Sequence, residues 1–74
     1  MLIEYYEEFQ NIPHTNKLLV KRFDNYIREK DIPRHEIYEK INEFVDTLHI
    51  AKTTRKNYKY GLRRFVEEVS YNWW

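Results

Sequence analysis

Cysteine is absent from the 74 residues, glycine occurs once and proline twice. Without cysteine, no disulfide and no thiolate-ligated zinc can supplement the core, and nothing points to an oxidising compartment, so a cytoplasmic location is expected. One glycine cannot make a glycine-rich phosphate loop. No apolar run approaches the roughly 18–20 residues of a membrane span, and glutamates stand where a signal peptide needs a basic and then an apolar segment. A soluble, untargeted chain with no membrane partner is therefore expected. His14, His35 and His49 lie far apart with no i, i+4 pair, which argues against a metal site. The adjacent pairs Glu7-Glu8 and Glu67-Glu68 would diverge by about 100° on a helix and give no acid–base couple. No cofactor and no enzymatic activity are expected.

What is present is charge, and it is unevenly placed. Thirteen Lys and Arg against twelve Asp and Glu leave a formal charge of only +1. Yet residues 1–16 hold Glu4, Glu7 and Glu8 with no Lys or Arg, whereas residues 52–64 hold Lys52, Arg55, Lys56, Lys59, Arg63 and Arg64 with no acid. Such segregation suits a partner met on one face, and nucleic acid is the commonest polyanion.

Apolar residues recur at helical spacing throughout. Leu2, Tyr5, Tyr6 and Phe9 predict a first short helix over about 2–10, ended by Asn11-Ile12-Pro13. A second helix, over 13–30, starts at Pro13 and carries Leu19, Phe23, Tyr26 and Ile27, with Lys17, Lys21 and Arg28 opposite. After Asp31-Ile32-Pro33, a third over 33–48 carries Ile37, Ile41, Phe44, Val45 and Leu48, under an outer face made acidic by Glu36, Glu39, Glu43 and Asp46 beside Lys40. The fourth, over 52–70, buries Tyr58, Leu62, Phe65, Val66 and Val69. Lys52, Lys56, Lys59 and Arg63 fall within about 60° of one another, roughly opposite that stripe, with Arg55 and Arg64 flanking. This ridge reads either as a solvated face or as a surface for a polyanion. Four helices with short connections and no strand signal give a single all-α, compact four-helix bundle-like domain spanning residues 1–74. Gly61 within the last helix marks either a close helix crossing or a tolerated exposed glycine. A weak echo at an offset of 39, from Thr15, Leu19 and Phe23 to Thr54, Tyr58 and Leu62, hints at pseudo-twofold packing of two helix pairs.

The run IPRHEIYEKINEFVDTL, HIAKTT, RKNYKYGLRRFVEEV resembles the second half of the N-terminal, SAM-like core-binding domain of phage integrases and other tyrosine recombinases. There a helix with spaced Ile and Leu leads through a short loop to a threonine at a helix start, an aromatic four residues on, and a Leu-x-x-Phe pair. Thr54, Tyr58, Leu62 and Phe65 occupy those positions, and Pro13, His14, Thr15, Leu19 and Phe23 resemble the first half, with leucine for the usual tyrosine. The resemblance covers roughly residues 3–70. It implies one jaw of a clamp around duplex DNA, with the second and fourth helices near the major groove and contacts mainly to the backbone. Those are the two helices with basic faces. It does not extend to catalysis, because recombinases cut and rejoin DNA with a separate C-terminal domain. The chain then reads as a fragment of a recombinase-like protein or as a free-standing phage or mobile-element regulator, acting in the bacterial cytoplasm.

The expected function is non-catalytic binding of double-stranded DNA. The candidate contacts are Thr53, Thr54, Arg55, Lys56, Lys59 and Arg63 from the fourth helix with His14, Thr15, Lys17 and Lys21 from the second. Lysines and arginines would neutralise phosphates, threonines at helix starts would add phosphate hydrogen bonds beside the N-terminal amides, and Arg55 could fork onto a base. From another class comes a small helical protein-interaction module, such as a phage-encoded regulator docking on a host protein; a helix-turn-helix repressor on the third and fourth helices is a further alternative. Trp73 and Trp74 fold back onto the core, form a homo-oligomer contact, or lead into a missing C-terminal domain.

Overall fold

Three α-helices and two short 3-10 turns make up the computed structural model, which describes residues 2–71. Helix α1 is Lys17–Glu29, α2 is Ile37–Asp46 and α3 is Lys52–Ser70. The architecture is all-helical, and it differs from the expected four helices at the first segment.

Residues 2–10 do not form an α-helix. Ile3–Tyr5 is a single 3-10 turn, and it continues as turns closed by bonds from the Glu8 and Phe9 amides to the Tyr5 carbonyl. The amphipathic spacing is real, but tertiary contacts use it differently. Leu2 is fully buried, and its amide donates to a carboxylate oxygen of Asp24 on α1 at 3.2 Å. Tyr6 and Phe9 lie against the Phe65 ring of α3, with centroids 6.4 and 6.3 Å away. Leu2, Glu4, Glu7, Glu8 and Gln10 favour a helix locally, so it is these tertiary contacts rather than propensity that shape the segment to the surface it covers. The expected pairing of two helix pairs therefore lacks its first member.

The second helix begins at Lys17 rather than Pro13. Asn16 is extended and its side-chain oxygen accepts from the Leu19 amide at 2.8 Å, a strong N-cap. Upstream, Thr15 Oγ1 donates to the Ile12 carbonyl at 2.6 Å, and His14 takes a left-handed φ of 64°. Pro13 thus sits in a turn. At the other end Asp31, at φ 53°, closes a Schellman motif: Ile32 N–H bonds the Ile27 carbonyl and Asp31 N–H the Arg28 carbonyl. Pro33 then admits a 3-10 turn, Arg34–Glu36, before α2.

The core gathers Leu19, Val20, Phe23 and Ile27 of α1, Ile37, Ile41, Phe44 and Val45 of α2, and Leu62, Phe65, Val66 and Val69 of α3, with Leu2 and Ile32. Leu48 and Tyr58, expected inside, are half-buried at its edge. Helices α2 and α3 form an antiparallel hairpin whose polar edge closes in three rungs. Asp46 meets Lys59 at 3.0 Å, Arg63 donates to Asn42 at 2.7 Å, and the Tyr38 hydroxyl donates to Glu67 at 3.3 Å. Positions 38, 42 and 46 ascend as 67, 63 and 59 descend, one helical turn per rung.

Candidate nucleic-acid interface

Helix α3 starts without a side-chain cap, because Ala51 occupies the capping position. Its first amides are left to solvent or to an anion, and the helix dipole places positive potential there. Around this end Asp46, Lys52, Thr53, Arg55, Lys56 and Lys59 line one shallow recess. Four cations thus surround one carboxylate. Lys59 is drawn onto Asp46, and Arg55 approaches the same carboxylate oxygen only to 4.0 Å, leaving its buried Nε without a hydrogen-bond partner. Among the described residues Lys52 and Lys56 are exposed and have no ion-pair partner. The recess carries a clear excess of positive charge.

Thr53, Arg55, Lys56 and Lys59 of the expected contacts come together here, and His14 joins them through a neighbouring recess lined by Pro13, His14, Lys56, Asn57 and Tyr60. Thr54 is half-buried in the first turn. Arg63 lies a turn farther along the α2 seam, held by neutral Asn42. Lys17 and Lys21 are exposed on α1 and line neither recess. The Thr15 hydroxyl is committed to the Ile12 carbonyl, so it is not free to donate to phosphate.

No protein-family model, curated protein or solved structure matches the chain.

The basic ridge is placed differently from the expectation. At about 100° per residue, Lys52, Lys56, Lys59 and Arg63 lie about 100° from the centre of the buried stripe, on its flank rather than opposite it. That flank faces α2, which is why Lys59 and Arg63 are engaged in the hairpin seam. Lys52 and Lys56 run past the end of α2 and stay free. Asp46, Lys52, Pro13, Asn57 and Tyr60 of this surface were outside the expected contacts: Lys52 was read as part of the ridge, Asp46 only as part of an acidic outer face, and Tyr60 is 57% exposed. The complementary ladders 38, 42, 46 and 59, 63, 67 were the available signal for Asp46. Gly61 is explained by neither of its expected roles. A Cβ there would lie 2.6 Å from the His14 carbonyl oxygen, so the glycine lets the 13–14 turn rest on α3 and brings His14 beside Lys56 and Tyr60.

Away from this face, Lys40 is raised above its ordinary pKa by its hydrogen bond to Glu43, and burial raises that of the Tyr26 hydroxyl. Among the described residues no helix is long and apolar enough to cross a membrane, and no three His, Cys, Asp or Glu residues are grouped to hold a metal ion.

Proposed function

We propose that the protein is a non-catalytic duplex-DNA-binding domain of the tyrosine-recombinase core-binding kind, either a fragment of a recombinase-like protein or a free-standing regulator. The observation that carries this reading is the recess at the start of α3, where an uncapped helix N-terminus and the cations Lys52, Arg55, Lys56 and Lys59 converge with a single opposing carboxylate. Amides and ammonium groups in that arrangement suit a phosphate backbone. Lys56 and His14 extend the surface toward the 13–16 turn, and Lys17 and Lys21 on α1 would add backbone contacts farther out. Segment 2–12 takes the place of the family's first helix in this reading.

The test is a salt titration on blunt duplex DNA by fluorescence anisotropy. Log K should fall linearly with log salt at a slope of about −0.9 per phosphate neutralised, and Lys56→Gln should flatten it by about one unit with melting unchanged. A folded protein without duplex affinity at low salt would overturn the proposal. The interaction-module reading has one observation in its favour: Leu18 is 59% exposed beside a groove that it lines with Leu19, Leu48, Ile50 and Tyr58. The helix-turn-helix alternative loses its support, since an antiparallel hairpin laced along three rungs is unlike the steep crossing of that motif.

A further inference from the structure

Tyr60 stands in water near the middle of α3 and separates two recesses. One is lined by Pro13, His14, Lys56, Asn57 and Tyr60, the other by Tyr38, Tyr60, Arg63, Arg64 and Glu67. Core packing does not account for the ring. It is 57% exposed and meets the His14 ring edge-on, with centroids 6.1 Å apart and planes at 80°. Across the second recess Tyr38 is 44% exposed, and its hydroxyl donates to Glu67 at 3.3 Å.

The groups beside the two tyrosines are mostly cationic. Lys56, Tyr60 and Arg64 follow one another at i, i+4 and i+8 along the outer face of α3, and Arg63 adds a guanidinium bonded only to neutral Asn42 in the described contacts. Arg64 is shared with Glu68 at 3.6 Å, and Glu67 is the acid lining the second recess. A cation, an aromatic ring and another cation in sequence suit a strand that alternates phosphate and base. A duplex presents base edges in its grooves and keeps base faces inside the stack, so a free aromatic face gains little from it. An unpaired base offers a face that can stack. Lys56 lines both the α3 N-terminal recess and the first recess beside Tyr60, so a backbone held by the former passes directly onto the ring.

We propose that Tyr60, seconded by Tyr38, is a stacking platform for an unpaired nucleobase, so that the preferred partner carries a single-stranded segment beside the backbone gripped by Lys52 and Lys56. This rests on the nucleic-acid reading above and names the form of the partner.

The experiment compares three labelled probes by anisotropy at fixed salt: a blunt duplex, the same duplex with a short overhang, and the free single strand. The overhang is made once in DNA and once in RNA, which separates the two sources of an unpaired base. The overhang probe should bind about 5-fold or more tighter than the blunt duplex. Tyr60→Leu should bring that ratio close to one, and Tyr60→Phe should keep it. Tyr38→Leu, on the other helix, should lower the same ratio and keeps the test open if Tyr60→Leu melts early. Equal affinity of the wild type for blunt and overhang duplexes, or a ratio that survives Tyr60→Leu, overturns the inference and leaves duplex binding intact. Failure to bind any probe overturns both.

Discussion

Gly61 and Asp31 show backbone demands of opposite kind, one met by its residue and one resisted. At Gly61 the 13–14 turn rests so closely on α3 that a Cβ would lie 2.6 Å from the His14 carbonyl oxygen and 3.0 Å from that of Pro13. Alanine would gain about 1 kcal/mol of helix propensity, but it would have to push backbone aside, and overpacking of that sort costs about 1–3 kcal/mol. Gly61→Ala should therefore lower the urea midpoint; a raised midpoint would mean that the turn lifts off α3 at no cost. Asp31 is the reverse. It holds φ 53° at the end of α1, where glycine is the usual residue because a Cβ crowds the following carbonyl. Asp31→Gly should raise stability by up to about 1 kcal/mol, read as an upward shift of the same midpoint. Neither conformation was legible beforehand. Gly61 read as either a close helix crossing or a tolerated exposed glycine, because spacing within α3 carries no information about a loop more than forty residues earlier. The left-handed Asp31 is visible only once the Ile32 amide is seen to reach the Ile27 carbonyl.

On the scale of the helices, the α2–α3 hairpin decides which cations are available. The ladder Lys52, Lys56, Lys59, Arg63 was legible as a ridge, but a helical wheel has no neighbour on it, and α2 divides the ridge into an engaged half and a free half. Asp46 marks the boundary, accepting Lys59 at 3.0 Å and facing Arg55 at 4.0 Å. It is also the last residue of α2, where a carboxylate opposes the helix dipole. Asp46→Asn should then cost little stability while releasing both cations into the recess. On the nucleic-acid reading proposed above, affinity should rise and its salt dependence should steepen by up to about one unit. Lys59→Gln should flatten the slope less than Lys56→Gln, because part of the Lys59 charge is already neutralised. If Asp46→Asn weakened binding, the carboxylate would be positioning Arg55 rather than competing for it, and the recess would have to be redrawn around that role.

Over the whole molecule the three stripes were legible, and so was the core they build: Leu19, Phe23, Ile37, Ile41, Phe44, Leu62 and Phe65 are all buried together. The first segment was misread because its spacing fitted a helix, whereas its structure is set by Asp24 and Phe65, which lie far along the chain. Asp24 itself sits 2% exposed on a basic, amphipathic helix, with no sequence signal separating it from a surface acid. Trp73 and Trp74, expected to finish the core, to pair copies or to lead into a further domain, lie outside the described residues. The hinge of the core is Phe44. Its ring stands 5.0 Å from Phe23 and 5.2 Å from Tyr26, so it joins α2 to α1 within the shared core, while α2 carries α3 along the hairpin. Phe44→Ala should cost about 3–5 kcal/mol. A chain of this length has only about 4–11 kcal/mol of total stability. The variant should therefore lose most of its cooperative melting by circular dichroism at room temperature, whereas Lys56→Gln, which removes a charge from an exposed side chain, should melt with the wild type. Were Phe44→Ala to melt cooperatively near the wild-type temperature, α1 and α2 would have to be joined elsewhere, and the aromatic contact would be incidental to the fold.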